Sequence, residues 1–80
     1  MNASVVVYST GPGCARCRLT VRELQRLGVE HVVVDVTKDA RARALVQAMG
    51  YTEAPVVTDG QQWWSGFRPE RLRAIAVPAA

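Results

Sequence analysis

The 80-residue sequence predicts a single α/β domain of order β-α-β-α-β-β-α, a mixed four-stranded sheet with three helices on its faces. Three observations carry this. Short β-branched runs alternate with longer stretches of helical period, the pattern of βαβ units. One helix separates the first two runs, which makes those strands parallel with a right-handed crossover. An Asp-Gly turn signal separates the last two, which makes them an antiparallel hairpin. A chain of this length has room for one core, so residues 1–80 read as one domain.

Each element has its own signature. Val5-Val6-Val7-Tyr8 is β-branched and aromatic and gives way to the loop residues Gly11-Pro12-Gly13. From Ala15 to Leu27 the period is helical, with Cys17, Val21, Leu24 and Leu27 near one face and Gly28 as the stop. Val32-Val33-Val34-Asp35-Val36 is apolar enough to be a strand covered on both faces. Thr37 or Asp39 caps a second helix, in which Ala42, Leu45, Val46 and Met49 form a stripe before Gly50. Ala54-Pro55-Val56-Val57 leads into the third strand, Thr58-Asp59-Gly60-Gln61 turns the chain, and Gln62-Trp63-Trp64-Ser65 returns. Alternation along that strand turns one of the two tryptophans outward. Arg68-Pro69-Glu70 opens the last helix, with Leu72, Ile75 and Ala76 as its apolar stripe. Pro78-Ala79-Ala80 should fray.

Composition narrows the function classes. With 49% apolar and 21% charged residues the chain is globular, not disordered. Met1-Asn2-Ala3-Ser4 carries no basic leader region, and no stretch approaches the roughly 20 apolar residues of a bilayer span. The expectation is a soluble cytoplasmic monomer with no membrane association. The net charge of +3 comes largely from arginine. Arg16, Arg18, Arg22 and Arg26 on the first helix read either as a solvated face or as a docking surface for an acidic partner. Without a groove-reading or base-stacking motif, nucleic-acid binding is not expected.

The chemistry rests on two cysteines, both in Cys14-Ala15-Arg16-Cys17. A disulfide closing so small a loop adds little stability, so the pair reads as redox-active or metal-binding. Its position decides more than its spacing. Cys14 sits where the first strand's loop meets the first helix, whose unpaired N–H groups and partial positive charge favour a thiolate. Cysteines in such positions titrate at roughly 3.5–7.5, against about 8.5 for a free thiol. Cys14 is therefore the expected exposed nucleophile. Cys17, one turn later and pointing inward, is the expected resolving thiol. Arg16 adds positive charge or is surface filler. A tetrahedral zinc site needs four ligands and the pair supplies two, so a metal-binding Cys-x-x-Cys module is the lesser alternative. His31 reads as an exposed residue before the second strand.

The strand, the Cys-x-x-Cys, the helix and the later Ala54-Pro55, together with Trp64-Ser65-Gly66-Phe67-Arg68-Pro69-Glu70, resemble the thioredoxin superfamily and, within it, the glutaredoxin-like NrdH-redoxins. The resemblance runs from Val5 to about Ile75. It implies a thioredoxin-like fold and a dithiol–disulfide redoxin with no bound cofactor, its working group being a Cys14–Cys17 disulfide. It further implies that the protein reduces the disulfide of the class Ib ribonucleotide reductase large subunit. Recharging would come from thioredoxin reductase, which carries the FAD and uses the NADPH. A glutathione-dependent glutaredoxin is the runner-up. Against it, no lysine precedes Cys14, and Ser65-Gly66-Phe67-Arg68 stands where a glutathione site would carry a Gly-Gly pair and acids. Pro55 resembles the superfamily's cis-proline, which would turn the Ala54 backbone toward Cys14 to pair with an incoming peptide. By the motif match Trp64 should pack near the active site, with Trp63 as core or contact surface. Arg68 either ties the Ser65-to-Pro69 loop or contacts the reductase. The Ser9-to-Gly13 loop is one residue longer than is usual in the group, and Ala15-Arg16 is not the commoner intervening pair.

Overall fold

The computed structural model describes residues 5–76 and holds the elements in the expected order: β1 (Val5–Ser9), α1 (Ala15–Arg26), β2 (His31–Asp35), α2 (Ala40–Ala48), β3 (Val56–Thr58), β4 (Trp63–Ser65) and α3 (Pro69–Ala76). The readings placed on Met1–Ser4 and on Pro78-Ala79-Ala80 lie outside the described residues. The sheet order is β2-β1-β3-β4. β1 and β2 are parallel, with Val5 opposite His31 and Ser9 opposite Asp35. β3 runs antiparallel to β1 and to β4, pairing Val57 with Val7 and with Trp64.

Strand alternation divides the apolar residues between the two faces of the sheet. On one face Val5, Val7, Val57 and Trp64 pack with Leu24 of α1 and Leu72 of α3. On the other, Val56 and the half-buried Tyr8, Val34 and Trp63 pack with Ala42 and Val46 of α2. The adjacent tryptophans are thus parted between two cores. Trp63 stacks on Tyr8 at 5.9 Å between ring centroids. The Trp64 ring is capped by the Arg71 guanidinium at 5.4 Å.

Helix ends follow local chemistry. The Asp39 carboxylate accepts the Ala42 N–H at 3.0 Å and caps α2, which settles the choice between Thr37 and Asp39. Thr37 instead donates its N–H and its hydroxyl to Asp35. The Asp59 carboxylate accepts the Gln61 and Gln62 N–H groups and fixes the β3–β4 turn. These bonds hold its carboxyl below the usual carboxylate range.

Four expectations change. β2 is an edge strand, and Val32 and Val33 are 48% and 47% exposed rather than covered on both faces. Valine reports strand propensity there, while burial is set by strand order, which the residues of β2 do not encode. Leu45 and Met49 of the α2 stripe are each 43% exposed, so α2 touches the sheet along the narrower line of Ala42 and Val46. β4 begins at Trp63, since Gln62 is taken up by the turn. His31 opens β2 half-buried, rather than preceding it exposed, and its ring nitrogen Nδ1 lies 2.8 Å from the Val29 carbonyl oxygen.

Leu72 is the fully buried contact through which α3 joins the sheet. Leu72→Ala should cost about 2–5 kcal/mol, as buried leucine truncations do. Chemical denaturation reads this, and a loss below about 1 kcal/mol would show that α3 is not integral to the core.

Candidate redox site

The site is built where β1 ends and α1 begins. The loop between them is folded back by the Gly11 N–H, which donates to Ser9 Oγ at 3.0 Å, and by the Cys14 N–H, which donates to the Gly11 carbonyl at 3.1 Å. Gly11 takes φ +107°, a conformation that side chains resist, and so lets the loop close on itself. Arg18 reaches back to donate to the Pro12 carbonyl and ties the loop to α1.

Cys14 is the N-cap of α1. Its backbone is extended, and its sulfur accepts the Cys17 N–H at 3.2 Å. That N–H is among the first-turn donors with no intrahelical acceptor, so Cys14 Sγ lies where the helix offers partial positive charge. No acidic residue in the first turn opposes it. A disulfide joins Cys14 and Cys17, with Cα atoms 5.3 Å apart. The two sulfurs differ in access: Cys14 is half-buried and Cys17 is 3% exposed. Thr20 beneath them is fully buried and donates its hydroxyl to the Arg16 carbonyl at 2.9 Å.

A second segment approaches from β3 and β4. The Ala54–Pro55 peptide is cis. The Pro55 carbonyl accepts the Gly66 N–H at 2.8 Å, which binds the loop after β4 to the proline segment. Gly66 has φ +85°, and a Cβ there would meet Glu53 Oε1 at 3.6 Å. A recess of about 510 Å³ is lined by Arg16 and Leu19 of α1 and, opposite, by Glu53, Ser65, Phe67 and Arg68. Arg68 is exposed, and its Nε donates to the Ser65 carbonyl at 3.2 Å.

The residues singled out in the sequence therefore divide. Arg16, Ser65, Gly66, Phe67 and Arg68 share one recess, Arg16 lying between the disulfide-bonded Cys14 and Cys17 in the chain, and Ala54 is half-buried beside the buried Pro55. Trp64 does not join them as a contact surface. At 5% exposure it is part of the core between α1 and α3, because it shares a sheet face with Val57's neighbours Val5 and Val7. Sequence reasoning passed over Glu53 and Leu19, which complete the recess. The signals were present: Glu53 directly precedes Ala54-Pro55, and Leu19 lies one helical turn from Arg16. Among the described residues no group of three or more His, Cys, Asp or Glu side chains is placed to hold a metal, and no helix is long and apolar enough to cross a membrane.

Comparisons with known proteins agree with this geometry. Residues 5–63 match the Glutaredoxin family model. The glutaredoxin-like protein NrdH of Salmonella typhimurium is 33% identical over 90% of this chain and 88% of its own length. The gene 56 protein of Mycobacterium phage D29 is 35% identical over 90% of this chain and 81% of its own. The structure of NrdH-redoxin from Escherichia coli, described as the basis of that protein's thioredoxin-like activity profile, superposes with a TM-score of 0.88 at 30% identity. It covers 95% of this chain and 97% of the other. With a thioredoxin-like fold, a Cys-x-x-Cys at a helix start and these relatives, the chain belongs to the glutaredoxin family as an NrdH-type thiol–disulfide oxidoreductase.

Proposed function

We propose that the protein reduces protein disulfides with Cys14 as attacking thiolate and Cys17 as resolving thiol. It draws its electrons from thioredoxin reductase and delivers them to the disulfide of the class Ib ribonucleotide reductase large subunit in the cytoplasm. The observation that carries this is the asymmetry of the pair: Cys14 is reachable and accepts a helix N–H, while Cys17 is buried beneath it. The Cys14 thiolate attacks one sulfur of the substrate disulfide. A mixed disulfide forms, and the other substrate sulfur leaves as a thiolate. Cys17 then attacks Cys14 Sγ, the Cys14–Cys17 bond forms, and the second substrate sulfur leaves. The substrate gains two electrons and the redoxin loses two.

The choice of partners rests on the surface around the pair. The NrdH relatives and the thioredoxin-like activity described for the Escherichia coli protein favour a flavin reductase as electron source. The charges agree. The recess that Arg16 of the Cys14-to-Cys17 segment lines also carries Arg68 and the Phe67 ring. Glu53 and Glu70 also line the recess, but the bulky Phe67 ring and Arg68 stand where a glutathione site would keep a small Gly-Gly pair, which suits a protein surface better than the tripeptide. In this reading the Ala54 backbone, next to the buried Pro55, pairs with an extended peptide entering over Cys14. Arg68 holds the loop through the Ser65 carbonyl and so presents Phe67.

Two measurements check this reading. Cys17→Ser should accumulate a covalent complex with a disulfide substrate such as insulin, released by dithiothreitol, whereas Cys14→Ser should form none. Accumulation by Cys14→Ser instead would reverse the two roles. Insulin reduction should run faster with thioredoxin reductase and NADPH than with glutathione, glutathione reductase and NADPH. The opposite order would identify a glutathione-dependent glutaredoxin.

A further inference from the structure

Resolution poses a proton problem that the cysteine pair does not solve. Cys17 is 3% exposed, and burial opposes ionisation of a thiol. Yet the thiolate is the species that attacks. A groove of about 370 Å³, sharing no lining residue with the Phe67 recess, opens onto Cys17 between α1, the end of β1 with its loop, and the edge strand β2. The ionisable groups lining it are Arg18 and Arg22 from α1 and Asp35 from β2, beside Cys17 itself. Ser9 at the end of β1 and Gly11 and Pro12 of the loop also line it, and none of them takes up a proton. Asp35 is thus the one carboxylate on that groove among the described residues.

Sheet register puts it there. Asp35 pairs with Ser9, the last residue of β1, and shares a strand face with Val33, which also lines the groove. Its two oxygens are used differently. Oδ1 accepts both the N–H and the hydroxyl of Thr37. Oδ2 is turned to the active-site loop, 3.6 Å from where a Cβ on Gly11 would lie. The groove is wide enough for water, each molecule of which occupies about 30 Å³. The Thr37 bonds also hold the Asp35 carboxyl below the usual carboxylate range, which favours its anion.

We propose that Asp35 is a positioning base for resolution, accepting the Cys17 thiol proton through groove water as Cys17 attacks the mixed disulfide. The proton passes from Cys17 Sγ to the carboxylate, the Cys17–Cys14 bond forms, and the Cys14–substrate bond breaks. The departing substrate thiolate takes up a proton from solvent, as Asp35 returns its own to water. This inference rests on Cys17 being the resolving thiol.

A chromogenic aromatic disulfide separates the two steps by stopped-flow absorbance on the reduced protein. One coloured thiolate leaves as Cys14 attacks, and a second as Cys17 resolves. In the wild type the second rate should hold a plateau between about pH 5 and 7, as base assistance by an anionic carboxylate requires. Asp35→Asn, which keeps an oxygen for Thr37, should slow the second phase by about tenfold or more at the low end and make it climb about tenfold per pH unit. The first phase should stay within about twofold. Thr37→Val removes the hydroxyl bond but keeps the carboxylate, so it should retain the plateau. A wild-type second phase that climbs with pH throughout, or an Asp35→Asn profile equal to wild type, overturns the proposal. Absence of any second phase in the wild type would instead overturn the assignment of Cys17, so the two failures are distinguishable.

Discussion

The first turn of α1 has backbone N–H groups that no carbonyl of the helix can reach, and one of them is met by the sulfur of Cys14. Much of the remaining structure serves that contact. For Cys14 to cap the helix, the chain must leave β1, turn within a few residues and arrive extended at the cap. Ser9 Oγ, the Gly11 carbonyl and the left-handed Gly11 make that turn. For the helix to aim its start at the sheet's end, its inner face must be anchored, which Leu24 does against Val5, Val7 and Val57. The same anchoring buries Cys17, three residues after Cys14, and so separates the two sulfurs in access.

The sheet supplies the opposing wall. β3 pairs with β1 on one side and β4 on the other, and the loop after β4 is fastened to Pro55 through the Gly66 N–H. Phe67 and Arg68 are thereby held across from Arg16 and Leu19 without either segment belonging to α1. Trp64 serves this arrangement from below. Its burial between α1 and α3 fixes the strand whose end carries Ser65 and Gly66.

Element order, the parallel and antiparallel pairings and the place of the cysteine pair were legible because each has a local signature: β-branched runs, helical stripes, an Asp-Gly turn, a pair of thiols at a strand-to-helix junction. What was hidden depends on which element lies beside which. Val32 and Val33 read as core residues, but their strand is at the sheet edge. Leu45 and Met49 match a perfect period, but α2 covers too narrow a line of the sheet to bury them. Trp63 and Trp64 could not be divided between the faces until register placed Trp64 opposite Val57. Glu53 and Asp35 are ordinary acids in the sequence, and only the fold brings one to the Phe67 recess and the other to the groove under Cys17.

The capped sulfur makes one direct demand. If α1 stabilises negative charge on Cys14, the thiol must ionise well below a free cysteine. The rate of Cys14 alkylation by iodoacetamide in the reduced Cys17→Ala protein, followed against pH, reads this. The account predicts a midpoint within roughly pH 3.5–7.5, the range of cysteines at helix N-termini, and a midpoint at or above about 8.5 would contradict it.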